Sequence, residues 1–215
     1  MRQQILTLGC SILDKGLVAG TWGNISARVP GANWLVITPS GRDYRTIKQD
    51  DIPIVDITGR LLNSSLKPSS ELLMHLAIYN ARPDINAIVH THSVYASACA
   101  TARKPIPPLI EDLAQVIGGS VAVAEYALPG SADLAQNTVR ALADKYGVLM
   151  ANHGVVGCGQ TLAEALTSCE LIEKAARIFI YSMLLGGPVV LSDNDVSLMH
   201  DFYLRHYRQQ EGNNE

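Results

Sequence analysis

The chain has 215 residues, 47% of them hydrophobic, which suits one domain with a full core, spanning residues 1–215. Seventeen Lys and Arg against twenty Asp and Glu give a net charge of −3, and no basic block stands out, which argues against a nucleic-acid partner. No apolar run approaches the roughly 20 residues needed to span a bilayer, and the N-terminus lacks signal-peptide order, so neither membrane insertion nor export is expected. Cys10, Cys99, Cys158 and Cys169 form no Cys-x-x-Cys pair and read as free structural thiols of a reducing, cytoplasmic protein.

In chain order, Ile5, Leu6, Leu8, Ile12, Leu13 and Leu17 predict an amphipathic helix over 2–19, ended near Gly16 and Gly20. A turn at 21–24 leads into a strand over 25–29. A second strand over 34–38 forms a hairpin with it across Pro30-Gly31-Ala32-Asn33. A third strand covers 52–57. After Pro68, the serines of Ser69-Ser70-Glu71 signal the start of a helix that ends before Pro83. Ile88 to His92 reads as a buried central strand, followed by a helix over 93–102 and a proline-rich loop over 103–112. A short strand at 121–124, a helix over 131–146 and strands at 147–151 and 155–158 come next. Thr161-Leu162-Ala163-Glu164 fits a capping box opening the longest helix, which runs to about Leu185 and stops at Gly186-Gly187-Pro188. A last helix starts near Ser192, and the tail at 212–214 is expected to fray. Hairpins mixed with helices predict an α/β fold of the α+β type, with a mixed or mainly antiparallel sheet covered by helices.

His90 and His92 carry the first chemical signal. Residues i and i+2 on a strand share a face, so both imidazoles can reach one metal ion. Either ring can instead pack in the core or bond to backbone. His153, between two apolar strands, is a candidate third ligand, and three imidazoles leave zinc an open coordination position suited to catalysis. His75, four residues after Glu71 on one helix face, is a rival ligand, or a residue buried there or paired with the glutamate. His200 and His206 read as surface residues of the last helix. Glu71 suits the positive end of a helix dipole, and equally a metal ligand that substrate displaces and that then acts as a general base. Gly23-Asn24, Ser40-Gly41 and Ser69-Ser70 each offer small residues, backbone N–H groups or hydroxyls for an oxyanion, though each alone reads as a turn or cap. Lys67 reads as a solvated loop charge, and no other lysine lies in these motifs.

Thr-x-Gly-Asn-Ile-Ser at 21–26, Ile-Thr-Pro-Ser-Gly at 37–41, Lys-Pro-Ser-Ser-Glu at 67–71, His-Thr-His at 90–92 and Asn-His-Gly at 152–154 follow one another in order. This series resembles the class II aldolase/adducin superfamily over nearly the whole chain. The resemblance implies a central, mostly antiparallel mixed sheet with helices on both faces. It implies Zn2+ on His90, His92 and His153, with Glu71 as resting ligand and base, and three imidazoles suit zinc better than Mn2+ or Fe2+. Asn24, Ser40, Gly41, Ser69 and Ser70 would hold a phosphate. It also implies a homotetramer with interfacial active sites and a small phosphorylated sugar as substrate.

The activity so implied is aldol cleavage of a ketose 1-phosphate, such as L-fuculose 1-phosphate or a related deoxyketose phosphate, to dihydroxyacetone phosphate and an aldehyde. Zinc would stabilise the enediolate as the C3–C4 bond breaks, without a Schiff-base lysine. The sequence departs from the fuculose-phosphate branch at one point. That branch uses a tyrosine from a neighbouring subunit downstream of His-x-His, where this chain has Glu111, with Asp112 beside it. A glutamate there resembles the related methylthioribulose-1-phosphate dehydratases, so dehydration is the alternative reading, with sugar-phosphate epimerisation or decarboxylation behind it. Glu111 is also readable as a loop carboxylate or helix cap. Tyr207, or Tyr203, stands where the aldolases contribute a mobile C-terminal tyrosine. An adducin-like binding module is the non-enzymatic alternative, against which the intact histidines argue.

Overall fold

The computed structural model describes residues 1–64 and 66–208; the tail at 212–214 lies outside the described residues. The first helix, α1 (Arg2–Asp14), leads into β1 (Asn24–Arg28), β2 (Trp34–Ile37), β3 (Ile54–Asp56) and β4 (Leu61–Asn63). Then follow α2 (Leu72–Ala81), β5 (Ala87–Thr91), α3 (Val94–Thr101), α4 (Glu111–Ile117), β6 (Val123–Ala124) and α5 (Ala132–Leu142). The chain ends with β7 (Gly147–Met150), β8 (Gly154–Gly159), α6 (Leu162–Leu184), α7 (Asp193–Phe202) and a π-helical turn, Tyr203–Tyr207.

The strands form one sheet in the order β4-β3-β2-β1-β5-β8-β7-β6. Every neighbouring pair is antiparallel except β6 with β7. The fold is therefore the expected mixed, mostly antiparallel sheet with helices on both faces. The two faces follow from strand alternation. On β5, Ile88 joins a core with Leu35, Ile37, Met74 and Ile78, whereas Ala87 and Val89 join another with Ile5, Ile12, Ile25 and Val36. The long helix α6 contributes to both, with Ala165 and Cys169 in one and Ile172 and Ala176 in the other.

Three boundaries differ from expectation for identifiable reasons. Helix α1 stops at Asp14, before residue 19, because Gly16 adopts φ 68° and the chain closes a Schellman motif: Leu17 N–H donates to Ile12 (3.0 Å) and Gly16 N–H to Leu13 (3.0 Å). Helix α5 ends at Leu142, short of Tyr146, where Ala143 turns left-handed and the Arg82 guanidinium captures the carbonyls of Ala143 (2.7 Å) and Lys145 (2.9 Å). Glu111 and Asp112 belong to no loop: they open α4, whose seven residues are too few to announce a helical period and whose formation rests on burying Leu113, Ala114 and Ile117. The exposed three-residue edge strand β4 escaped sequence reading for a similar reason. The capping box is half realised. Thr161 accepts the Glu164 N–H (3.1 Å), but the Glu164 carboxylate reaches back to the Gln160 N–H (3.0 Å) and also holds Arg208.

Helix α6 lies almost on the backbone of β8. A Cβ on Gly157 would stand 2.6 Å from the Ala165 carbonyl oxygen and 2.7 Å from Cys169 Sγ. We expect Gly157→Ala to lower unfolding free energy by about 2–3 kcal/mol, read from the shift of the urea midpoint at unchanged m-value.

Candidate metal centre and substrate cleft

Three segments distant in sequence deliver the histidines. His90 is the fourth residue of β5, paired with Asn24 on β1 and Val156 on β8, at the middle of the sheet. His92 lies just past the strand end, its N–H bonded to the Leu17 carbonyl (3.0 Å) that the α1 Schellman turn sets in place. His153 occupies the tight connection between β7 and β8, where Asn152 takes φ 55°, a conformation asparagine tolerates better than most residues. The three ligand nitrogens lie within 4.8 Å of one another, and no other group of three or more His, Cys, Asp or Glu among the described residues does so.

Glu71, just ahead of α2, closes the group. Its Oε2 stands 3.1 Å from His90 Nε2 and its Oε1 stands 3.2 Å from His153 Nε2. His90 donates from Nδ1 to the Val155 carbonyl (2.9 Å), which turns its Nε2 inward toward Glu71. Nε2 of His92 lies 2.8 Å from Nε2 of His90. Glu71 Oε1 is buried without a hydrogen-bond partner. A carboxylate oxygen and converging imidazole lone pairs at this spacing fit a divalent cation between them, and His₃ with one displaceable carboxylate is a donor set that zinc accepts.

Burial dominates the electrostatics. It holds His92 down at about 3 and His153 at about 4, with the His90 charge adding to both, so these rings are neutral and ligand-ready at pH 7. Burial also works against charge on His90, but Glu71 and the Val155 carbonyl outweigh it and its pKa is raised. For Glu71, burial would raise the carboxyl; His90, His153 and Asn24 overcome it and keep it well below the usual carboxylate range.

The group opens into a cleft of about 570 Å³ lined by Trp22, Asn24, Ser40, Gly41, Ser69, Ser70, Glu71, His92 and His153 among others. The two serine segments are fastened together: Ser40 N–H donates to Lys67 (3.0 Å), Ser69 N–H donates to Thr38 (3.0 Å), and Pro39 bridges Pro68. These two N–H groups are spent and the Ser69 hydroxyl accepts the Glu71 N–H (3.2 Å), while Ser40, Gly41, Ser69 and Ser70 all line the cleft with the N-terminus of α2 beside them. The five residues expected to contact phosphate thus all line this cleft. A wider groove of about 740 Å³ between α1 and residues 44–49 lies away from these histidines.

Other candidates lie elsewhere. His75 is fully buried and bonds to Asn24 and Ser26, so it is no ligand. His200 is half-buried, not a plain surface residue: Nδ1 donates to the Gln115 carbonyl (2.6 Å) and the ring lies under Gly118. His206 is exposed and rests on Phe202. The Lys67 side chain is exposed, as expected. Glu111 is exposed at the start of α4, Asp112 pairs with Lys174, and Tyr207 is exposed against Phe202 and Tyr203; none of them lines the cleft within one chain. Trp22, by contrast, was unmarked as a cleft residue. It is 67% exposed, with its ring 6.1 Å from that of His92, and only its place in the motif at 21–26 hinted at this.

Residues 3–180 match the family of class II aldolase and adducin N-terminal domains. The chain belongs to this family, as a class II aldolase of the fuculose-phosphate aldolase type. It is 35% identical to the 5-deoxy-D-ribulose 1-phosphate aldolase of Bacillus thuringiensis serovar kurstaki, over 91% of each chain. It is 32% identical to the L-fuculose phosphate aldolase of Escherichia coli K12, over 93% of this chain and 92% of that one. A solved L-fuculose 1-phosphate aldolase superposes with a TM-score of 0.91 at 38% identity, covering 94% of this chain and 95% of the other.

Gly154 gives a direct test of the centre. A Cβ there would meet the Thr91 carbonyl oxygen at 2.4 Å, His92 Cδ2 at 3.0 Å and His90 Cε1 at 3.1 Å. Gly154→Ala should weaken divalent-metal binding by about tenfold or more in competition with a chromophoric chelator.

Proposed function

We propose that the chain is a zinc-dependent aldolase that cleaves a ketose 1-phosphate, L-fuculose 1-phosphate or a related deoxyketose phosphate, to dihydroxyacetone phosphate and an aldehyde. The observation that carries this reading is the convergence of three imidazoles and the Glu71 carboxylate at the floor of a hydroxyl-lined cleft. The names of the relatives agree with it.

His90, His92 and His153 would hold one zinc ion per chain, which supplies Lewis-acid stabilisation of negative charge on the substrate's C2 and C3 oxygens. Asn24, Ser40, Gly41, Ser69 and Ser70 grip the phosphate and fix the carbon chain against the histidines. Substrate oxygens displace Glu71 from its resting position. A base removes the C4 hydroxyl proton, the C3–C4 electron pair withdraws toward C2, and the C4 half leaves as aldehyde. Glu71, once freed, takes the C3 hydroxyl proton and returns it to C3 of the dihydroxyacetone phosphate half, while the protonated base gives the C4 hydroxyl proton back, through solvent, to the C3 oxygen; the synthetic direction reverses these transfers.

The base at C4 is assigned to Glu111 of a neighbouring subunit. Glu111 is exposed and outside the cleft of its own chain, which supports an interfacial site in a homotetramer. Tyr207, exposed near the end of the described residues, is the matching contribution from the C-terminal segment. Four unpaired cysteines support residence in the reducing cytoplasm, and the absence of a membrane-length apolar helix among the described residues is compatible with it. The 215 residues act as one catalytic domain in this reading.

The glutamate at 111 favours a second reading, loss of water from methylthioribulose 1-phosphate. The two are separated by incubating zinc-loaded protein with a panel of ketose 1-phosphates. Release of dihydroxyacetone phosphate is expected; water loss from methylthioribulose 1-phosphate with no such release would replace the aldolase reading. Glu71→Gln should lower kcat by about a hundredfold or more. Glu111→Gln should lower kcat by a similar factor of about a hundred with zinc still bound, and unchanged turnover would remove Glu111 from the chemistry.

A further inference from the structure

Behind Glu71 a row of buried polar groups runs inward from Asn24 through His75, Ser26 and Tyr79, and no step above uses the last three. Asn24 donates from Nδ2 to Glu71 Oε2 (2.9 Å). Its Oδ1 meets His75 Nε2 at 2.5 Å. His75 Nδ1 meets Ser26 Oγ at 2.6 Å, and Ser26 Oγ meets the Tyr79 hydroxyl at 2.8 Å. Asn24 is 5% exposed, Tyr79 2%, and Ser26 and His75 are fully buried. Asn24 and Ser26 are alternate residues of β1 and share a face, while His75 and Tyr79 are four apart on α2 and share its inner side.

The direction of every bond follows from one end. The Glu71 carboxylate can only accept, so the Asn24 NH2 must face it and the Asn24 carbonyl must face inward. That carbonyl can only accept, so His75 must carry its proton on Nε2. A buried neutral ring then has its lone pair on Nδ1, so Ser26 donates to it, and Ser26 oxygen accepts from Tyr79. Without His75 the amide of Asn24 loses the one partner that distinguishes its oxygen from its nitrogen at the inner end. The NH2 group has two hydrogens, of which the carboxylate takes one, and Asn24 also lines the cleft.

We propose that His75 is a positioning residue: its Nε2–H holds the Asn24 amide with NH2 outward, as a donor to Glu71 at rest and to the substrate phosphate once Glu71 moves. The inference rests on the cleft being a phosphate site. It explains why a histidine four residues from Glu71 is buried beside three ligand histidines without joining them. The fully buried His75 is bound on both nitrogens and has no route to the cation.

Two measurements test it. In wild-type protein labelled with ¹⁵N-histidine, long-range ¹H–¹⁵N correlation should show His75 as the Nε2–H tautomer; an Nδ1–H tautomer would overturn the proposal. On zinc-loaded protein, calorimetric titration with inorganic phosphate and steady-state kinetics compare His75→Leu with His75→Gln, whose amide can donate to Asn24 and accept from Ser26. His75→Leu should weaken phosphate binding and raise KM by about tenfold, with kcat changed less and zinc retained, whereas His75→Gln should stay within about threefold of wild type. Equal behaviour of both variants, whether both intact or both impaired, would overturn the positioning role. Wild-type protein that binds neither phosphate nor any ketose phosphate would overturn the cleft reading and the phosphate half of this inference; the tautomer still decides which way the amide faces.

Discussion

A carboxylate that is almost wholly removed from water sits at the centre of this molecule. Glu71 is costly to bury as an anion, and the surrounding structure offsets that cost with groups aimed at its two oxygens. His90 and the Asn24 amide meet Oε2, and His153 stands before Oε1. The start of α2 adds the favourable end of a helix dipole. Apart from the helix, none of these groups is local to Glu71 in sequence. The ion's stability therefore depends on β1, β5 and the β7–β8 connection being docked together, and the site and the sheet stand or fall as one unit.

The sheet supplies the register this requires. Pairing of Asn24 with His90 across β1 and β5 sets amide and imidazole side by side on one face, and a one-residue slip of either strand would put them on opposite faces. Close backbone approach supplies the rest. Gly23, at φ 112°, leaves no room for a Cβ between Val18 and the His90 carbonyl, and Gly154 leaves none among Thr91, His90 and His92. On the opposite wall the segments at 38–41 and 67–69 are laced by backbone bonds, so the serine hydroxyls of two loops share one surface. Strands thus carry His90 and Asn24, while His92, His153, Glu71 and the serines sit on the connections that this scaffold holds in place.

The electrostatic pattern follows from the same burial. Three histidines within a few ångströms cannot all be charged, and each answers differently according to its neighbours. His90, against the carboxylate, is pushed toward protonation, while His92 and His153, sharing its field, are pushed away from it. His75, one layer deeper, is neutral because burial leaves it only uncharged hydrogen-bond partners. Within one short cluster, imidazoles thus divide into three that converge on Glu71 or on one another and one that bonds to an amide.

What the sequence by itself determined was chemistry carried on short, fixed spacings. The alternation of His90 and His92, the serines ahead of an apolar helical run, and Asn-His-Gly between two apolar stretches each express a local geometric rule, so these residues stood out as candidates before any fold. Sheet class was legible from the hairpin signals. Only the tertiary structure decided what each shared-face spacing was for. His75, four residues from Glu71, read equally as ligand, partner or core until β1 put Asn24 and Ser26 against it. Helix α4 took Glu111 and Asp112 out of a loop because Leu113, Ala114 and Ile117 had a core to enter, and α1 ended early because Leu17 was needed at His92. Periodicity reports which residues can share a face; which partner that face meets depends on contacts between distant segments, and those exist only once the chain has closed on itself.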